Sequence, residues 1–272
     1  MMFRDGPNGL IAISQPSHAW LSGQLIRAWG NASFGAVAPC ADVCLAAEQH
    51  DIGWLPWEQS PTLNVTTGRP HSFRELSIAT HTAIWRQGTE MALAFGRYPA
   101  LLVSLHGTGL YASFDNTSAS VTDAAIVRDF LSDQLEIQHR LTQSLGTDRG
   151  LAEYSGPDMI ERNRRLVRSA DRMSIAICTG MRDMAVRSDD PHEGVVKQVP
   201  TAAGETDIRL LAAGGDLTTI VVSPWPFAAP VVHVSCEGIL LPPLRFDEEA
   251  AMRGALRNAT KIALSARLTA GA

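Results

Sequence analysis

Lysine is almost missing from this 272-residue chain: Lys197 and Lys261 are the only two, and the formal net charge is -5. A nucleic-acid binder usually displays a basic patch or stripe, and none is legible here. Cysteine is also sparse. Cys40, Cys44, Cys178 and Cys236 form no CxxC pair and no dense framework. That excludes a disulfide scaffold and fits a reducing compartment. No apolar run approaches the roughly 18 residues that a membrane span needs. The opening "MMFRDGPNGL" has no apolar signal core. No G-x-S-x-G, no P-loop, no internal repeat and no low-complexity segment is present. The expectation is a cytoplasmic protein without nucleic-acid or membrane partners. Hydrophobic residues at 45% and charged residues at 19% are an ordinary globular balance.

Apolar spacing predicts helices through the first two thirds of the chain. "PSHAWLSGQLIRAWG" has Pro16 and Ser17 at its start and Gly30 at its stop. "CADVCLAAEQHDIGW", "SIATHTAIWRQGTEMALAF", "PALLVSLHGTGLY", "DAAIVRDFLSDQLEIQHRLTQSL" and "GPDMIERNRRLVRSADRMSIAICTGM" follow. "GLIAISQ" reads as a brief strand. After "SDDPHEG" the composition changes to Val, Ile and Thr in short runs, "IRLLAAGGDLTTIVVSPWPF" and "APVVHVSCEGILL", which predict hairpins. "EEAAMRGALRNATKIAL" reads as a closing helix or a helix-to-strand return. The expected fold is therefore mainly α, a helical bundle over residues 1–187 with a small C-terminal β-rich appendage over 195–272 packed on it. Packing against the body is the reading given to that tail, with a homodimer contact or a pocket lid as alternatives.

Polar residues on the apolar stripes carry the chemistry. His18, His50, His81 and His106 all sit on or beside stripes that must be buried. Four imidazoles in one helical body are a large polar load, because each ring nitrogen has to be satisfied. Metal coordination satisfies one nitrogen per ring, and carboxylates complete such a site. Asp51 adjoins His50, and Asp171 stands in the apolar "SADRMSIAIC". A lone helical histidine is more often a core or surface residue; the ordered set with its His-Asp doublet favours the ligand reading. Asp158 and Asp183 are alternatives to Asp171, which has the more apolar surroundings. His71, His139, His192 and His233 fall in a loop, a charged helix, a linker and the β tail, and are assigned no role.

The order H…HD…H…H…D, in His18, His50-Asp51, His81, His106 and Asp171, resembles the dinuclear members of the HD-domain superfamily. The 25-residue step from His81 to His106 is similar to that in myo-inositol oxygenase and the phosphonate-cleaving HD-type oxygenases, and "ISQPSHAWLSGQL" looks like the lead-in of the latter. The motifs "HDIGWLPWE", "LLVSLHGTGLY", "ADRMSIAIC" and "SPWPF" resemble the domain-of-unknown-function family 3891 over nearly the whole chain. The superfamily resemblance implies an HD-like helical bundle. It implies that His18, His50, Asp51 and Asp171 hold one metal and His81 and His106 a second. Asp51 would bridge the two ions and so be the catalytic residue. The cofactors implied are two metal ions, iron first, with Mn, Zn, Co or Ni as alternatives.

Three functions follow as expectations. The first is a di-iron HD-type oxygenase acting with dioxygen on a small polar substrate. The second is a metal-dependent phosphohydrolase of a nucleotide or small phosphoester. The third is a non-catalytic metal-binding scaffold. HD phosphohydrolases commonly place a lysine shortly after the doublet; here Trp54, Trp57 and Glu58 occupy that stretch. Arg69, Arg74, Arg86 and Arg97 could replace it. The "HGTG" at His106 resembles a turn of HD-type dinucleotide hydrolases and reads either as an anion-facing Gly-Thr-Gly or as a helix stop.

Overall fold

The computed structural model describes residues 1–6, 8–112, 114–115, 118–181, 190–241 and 245–271. The chain opens with a hairpin, β1 (Met2–Gly6) and β2 (Gly9–Ile13). Helices α1 (Gln15–Ala28), α2 (Cys40–Gln49) and α3 (Trp54–Gln59) follow. A two-residue ribbon, β3 (Leu63–Asn64) with β4 (Arg69–Pro70), then precedes α4 (Ile78–Ala92), α5 (Arg97–Gly109), α6 (Val121–Gly146) and α7 (Pro157–Thr179). The last third holds β5 (Glu193–Pro200), β6 (Glu205–Leu211), β7 (Thr219–Ser223), β8 (Val231–Leu241), α8 (Glu249–Asn258) and β9 (Thr260–Ala270).

The mainly-α expectation, with its small C-terminal appendage, is corrected here. Of the described residues, 51% are helix and 23% strand, and all strands but β3 and β4 form one seven-stranded mixed sheet. Its order is β1-β2-β8-β9-β7-β6-β5, so the N-terminal hairpin belongs to the same sheet as the C-terminal strands. Leu10 pairs with Leu241 and Ala12 with Ile239 across β2 and β8. β8 and β9 run antiparallel from Val231↔Thr269 to Leu240↔Thr260, and β7 joins β9 in parallel. The physical reason lies in burial. Val232, Val234 and Cys236 alternate with exposed residues along β8, and this apolar face needs a cover. The helices provide it: Leu21, Leu25, Leu101, Val167 and Met173 share one continuous apolar core with Val196, Ile208, Val222, Val232 and Leu268. The boundary expected at residue 187 lies outside the described residues.

The helices follow their local signals closely. Ser14 caps α1 by accepting from the Ser17 amide at 3.1 Å, with Pro16 in the first turn. Such a cap contributes about 1 kcal/mol. The buried Glu58 carboxylate receives the Gln15 amide at 3.0 and 3.1 Å, adding negative charge at the same helix start. α1 is also tied to β8. Ser17 Oγ donates to Glu237 O at 2.5 Å, and the Gln24 amide exchanges two hydrogen bonds with the Ser235 backbone. "HGTG" is helical as far as Gly109, where α5 stops. Thr108 Oγ1 donates back to Leu105 O, so this segment is a helix end. Asp183, the second alternative acid, lies outside the described residues.

Two glycines set how closely the site's helices approach. A Cβ on Gly53 would lie 2.2 Å from Ile84 O and 2.7 Å from Gly88 N. The turn after His50-Asp51 therefore rests directly on the α4 backbone. A Cβ on Gly107 would lie 2.9 Å from Trp85 Cε3, so the indole of α4 lies flat against α5 beside His106.

Candidate metal centre

His18 is delivered by α1, His50 by the C-terminal cap of α2, Asp51 by the turn after it, His106 by the last turn of α5 and Asp171 by the middle of α7. All five are buried. His50 is 0% exposed and His18 1%. They converge. His18 Nε2 lies 2.6 Å from Asp51 Oδ2. His50 Nε2 lies 3.5 Å from Asp51 Oδ2 and 3.5 Å from Asp171 Oδ1. His106 Nε2 lies 3.9 Å from Asp171 Oδ2. The His50 ring stands 5.1 Å from that of His18 and 4.7 Å from that of His106, centre to centre.

Hydrogen bonds on the outer ring nitrogens orient the inner ones. His50 Nδ1 faces Ala47 O at 2.8 Å; a carbonyl only accepts, so Nδ1 carries the proton. His18 Nδ1 faces Ser174 Oγ at 2.8 Å. Ser174 spends its own proton on Asp171 O, at 2.8 Å, so it accepts from His18. Ser22 Oγ adds a second donor to Ser174 at 2.9 Å. Both Nε2 atoms are thereby turned toward the carboxylates. Fixing a ligating histidine through its second nitrogen in this way is characteristic of metal sites.

The electrostatics favour a cation. Among the described residues, only histidines come within ion-pair distance of Asp51 and Asp171. Burial works to lower the basicity of His50, but the Asp51 and Asp171 carboxylates override it and raise its pKa to about 9. Burial, reinforced by the charge of His50, pushes His106 down to about 4. Burial works to raise Asp51 and Asp171, yet the surrounding imidazoles hold both below the usual carboxylate range. Two ionised acids sealed from water are costly unless compensated. His50 Nε2 is in addition a buried polar atom with no hydrogen-bond partner. Ligands about 2.1 Å from one ion and at right angles stand about 3 Å apart, close to the 3.5 Å spacings found. The donors fall into two overlapping groups able to hold a metal ion: His18, His50 and Asp51, and His50, His106 and Asp171. The buried cluster fits a metal in donor chemistry, charge and spacing.

His81 is in neither group. It lines the same cavity but spends both nitrogens elsewhere. Nδ1 is 2.6 Å from the Tyr111 hydroxyl, and Nε2 accepts the Trp85 indole N–H at 3.4 Å. Burial lowers its pKa. Asp158, the alternative acid, is exposed in the first turn of α7. His139 and His233 are exposed, His192 is half-buried, and His71 bonds Thr62 at 2.9 Å.

The cluster opens onto a cavity of about 410 Å³. Trp54, Phe73, Trp85, Tyr111 and Phe114 wall it with rings; Leu76, Ile78, Leu110 and Ile175 supply aliphatic surface; Gln15 and Arg74 are its other polar members. Sequence reasoning missed Ser174 and Tyr111. Ser174 was visible as a polar residue one helical turn past Asp171, whereas nothing near Tyr111 in sequence marks it.

A family model described as "Protein of unknown function (DUF3891)" matches residues 1–243. No curated protein and no solved structure matches the chain. No helix among the described residues is long and apolar enough to cross a membrane.

Proposed function

Since the chain belongs to the family described as Protein of unknown function (DUF3891), we propose its activity from the site itself: an iron-dependent oxygenase of the HD type, acting on a small molecule in the aromatic-walled cavity. One observation carries this reading. The buried donors form two overlapping sets of two histidines and one carboxylate, and they face a cavity lined mainly by apolar side chains. Two histidines with one carboxylate and open positions are the usual ligand set of non-haem iron oxygenases.

The residues divide the work as follows. His18, His50 and Asp51 would hold one ion. Asp171 turns Oδ1 toward His50 and Oδ2 toward His106, and with His106 it would hold a second ion. On this reading Asp51 would be a ligand of the first ion. When bound, iron supplies the binding and activation of dioxygen. Ser174 and Ala47 hold His18 and His50 in the orientation that offers Nε2. Trp54, Phe73, Trp85 and Phe114 keep bulk water away from the reacting groups.

A phosphohydrolase is the second reading, favoured by one feature. Arg74 lines the cavity and is the only Arg or Lys among its described lining residues. A phosphate dianion normally meets more positive charge than one peripheral arginine, so this reading ranks below the first.

The test is protein purified without chelator. Elemental analysis should find iron, and the iron(II) protein should bind nitric oxide as a dioxygen surrogate with an electron paramagnetic signal. Phosphate release from p-nitrophenyl phosphate with Mn or Co, and no nitric oxide adduct, would transfer the assignment to the hydrolase. Less than one tightly held metal per chain would leave only a scaffold.

A further inference from the structure

The cavity holds a second polar device, apart from the metal cluster. The Trp85 indole N–H can only donate, so the His81 Nε2 it faces at 3.4 Å must be unprotonated. The proton of the neutral ring then sits on Nδ1 and is donated to the Tyr111 oxygen at 2.6 Å. That leaves the Tyr111 hydroxyl proton unspent: among the described residues it has no acceptor. The three side chains are rigidly packed. Trp85 is pressed against Gly107. The Tyr111 ring is held between Phe130, with centroids 5.3 Å apart, and Phe114 at 6.1 Å. His81, Trp85 and Tyr111 all line the cavity that also contains His18, Asp51, His106 and Asp171.

We propose that Tyr111 is the substrate-recognising donor of this cavity, aimed by His81 and Trp85, and that the substrate is a small ring-bearing molecule carrying a carbonyl or similar oxygen acceptor. This rests on the reading of the cavity as the substrate site. The walls match the body of such a molecule, since aromatic rings prefer edge and offset contacts of the kind Trp54, Phe73, Trp85 and Phe114 offer. The oxygen matches the Tyr111 O–H, which has no acceptor among the described residues. A relay of indole, imidazole and phenol also strengthens the last donor, because each hydrogen bond polarises the next. His81 is then a positioning residue and holds no metal. An Asn in its place can keep a donor near the Nδ1 position, whereas Ala cannot.

The experiment compares acetophenone with ethylbenzene, which share a shape and differ by the carbonyl. Binding to the full chain is followed by tryptophan fluorescence, and metal content is measured on every sample. Wild-type protein should bind acetophenone more tightly than ethylbenzene. Tyr111→Phe should weaken acetophenone about fivefold, the loss of one hydrogen bond, and leave ethylbenzene unchanged. His81→Ala should erode the same preference and His81→Asn restore it, with metal content equal to wild type in both. The proposal is overturned if wild type shows no preference for the ketone, if Tyr111→Phe weakens both probes equally or neither, or if His81→Asn loses metal. Absence of iron from all samples would sink the oxygenase assignment alone and leave the probe comparison standing.

Discussion

His18 Nε2 and Asp51 Oδ2 stand 2.6 Å apart inside the protein, brought together from α1 and from the turn after α2, and no arginine or lysine lies within ion-pair distance of them among the described residues. Removing either member of the His50-Asp51 doublet should therefore empty the site. His50→Ala and Asp51→Ala are each expected to lose metal and activity together. Elemental analysis of the purified variants checks this, and full metal loading in either would disprove the ligand assignment.

Metal should stabilise the fold, since the assembled site exists only in the native state. At a free ion concentration one hundred times the dissociation constant, the gain is about 2.7 kcal/mol. For a chain of 272 residues that raises Tm by about 5 °C. Melting curves with chelator and with added iron(II) or manganese give the comparison. Coincident curves would argue against a structured site.

Protons and metal compete for His50. Its pKa is raised to about 9, so the metal-free site still holds this proton at pH 7. An incoming ion must displace it. Affinity should rise with pH up to about 9, by as much as about tenfold per unit from this group, and then level off. Asp51 and Asp171 stay ionised across that window because both are depressed. In the metal-free protein the sign reverses. The stabilisation from the charged His50 is complete below its unfolded pKa of about 6.5 and is lost as pH rises through about 9. Calorimetry in two buffers of different ionisation enthalpy should detect proton release on metal binding at pH 7.

Ser174 would act on a metal by fixing the ring of His18. Ser174→Ala should lower metal affinity about 10–100-fold while the fold persists. Competition against a chelator of known affinity measures it. An unchanged affinity would mean that packing alone orients the imidazole.

Gly53 is needed for its missing side chain. Gly53→Ala would drive a methyl into the carbonyl of Ile84 and the backbone of Gly88, which cannot move aside as a flexible side chain could. A loss of about 3 kcal/mol is expected from such overpacking, read as a drop in the denaturation midpoint. Metal binding should weaken with it, because the same turn carries Asp51.

Much of the centre was legible because burial and polarity conflict locally. His18, His50, His106 and Asp171 each stand among residues whose spacing already implies a core, and the structure gathers them with Asp51. His81 shows the same local pattern as His106, yet its partners are Trp85 on its own helix and the distant Tyr111. Only the crossing of α4 and α5 decides between the two histidines. The sheet was half legible for a related reason. Short Val, Ile and Thr runs mark β7 and β8 as strands, but "TKIAL" at the start of β9 passes for the end of a helix, and nothing in "MFRDG" or "GLIAI" announces that β2 will pair with β8. Strand partners far apart in sequence are chosen by the closing of the core, which periodicity does not encode.

The union of β2 with β8 bears on how the protein matures during synthesis. His18 is translated early, but the strand that receives Ser17 and Gln24, and so seats its helix, is β8. A nascent chain that stops short of Ser235 lacks the hydrogen bonds by which β8 holds the helix of the first imidazole. If the cluster holds an ion, a chain that ends before β8 would offer the donors of α1 without the strand-side hydrogen bonds that fix that helix.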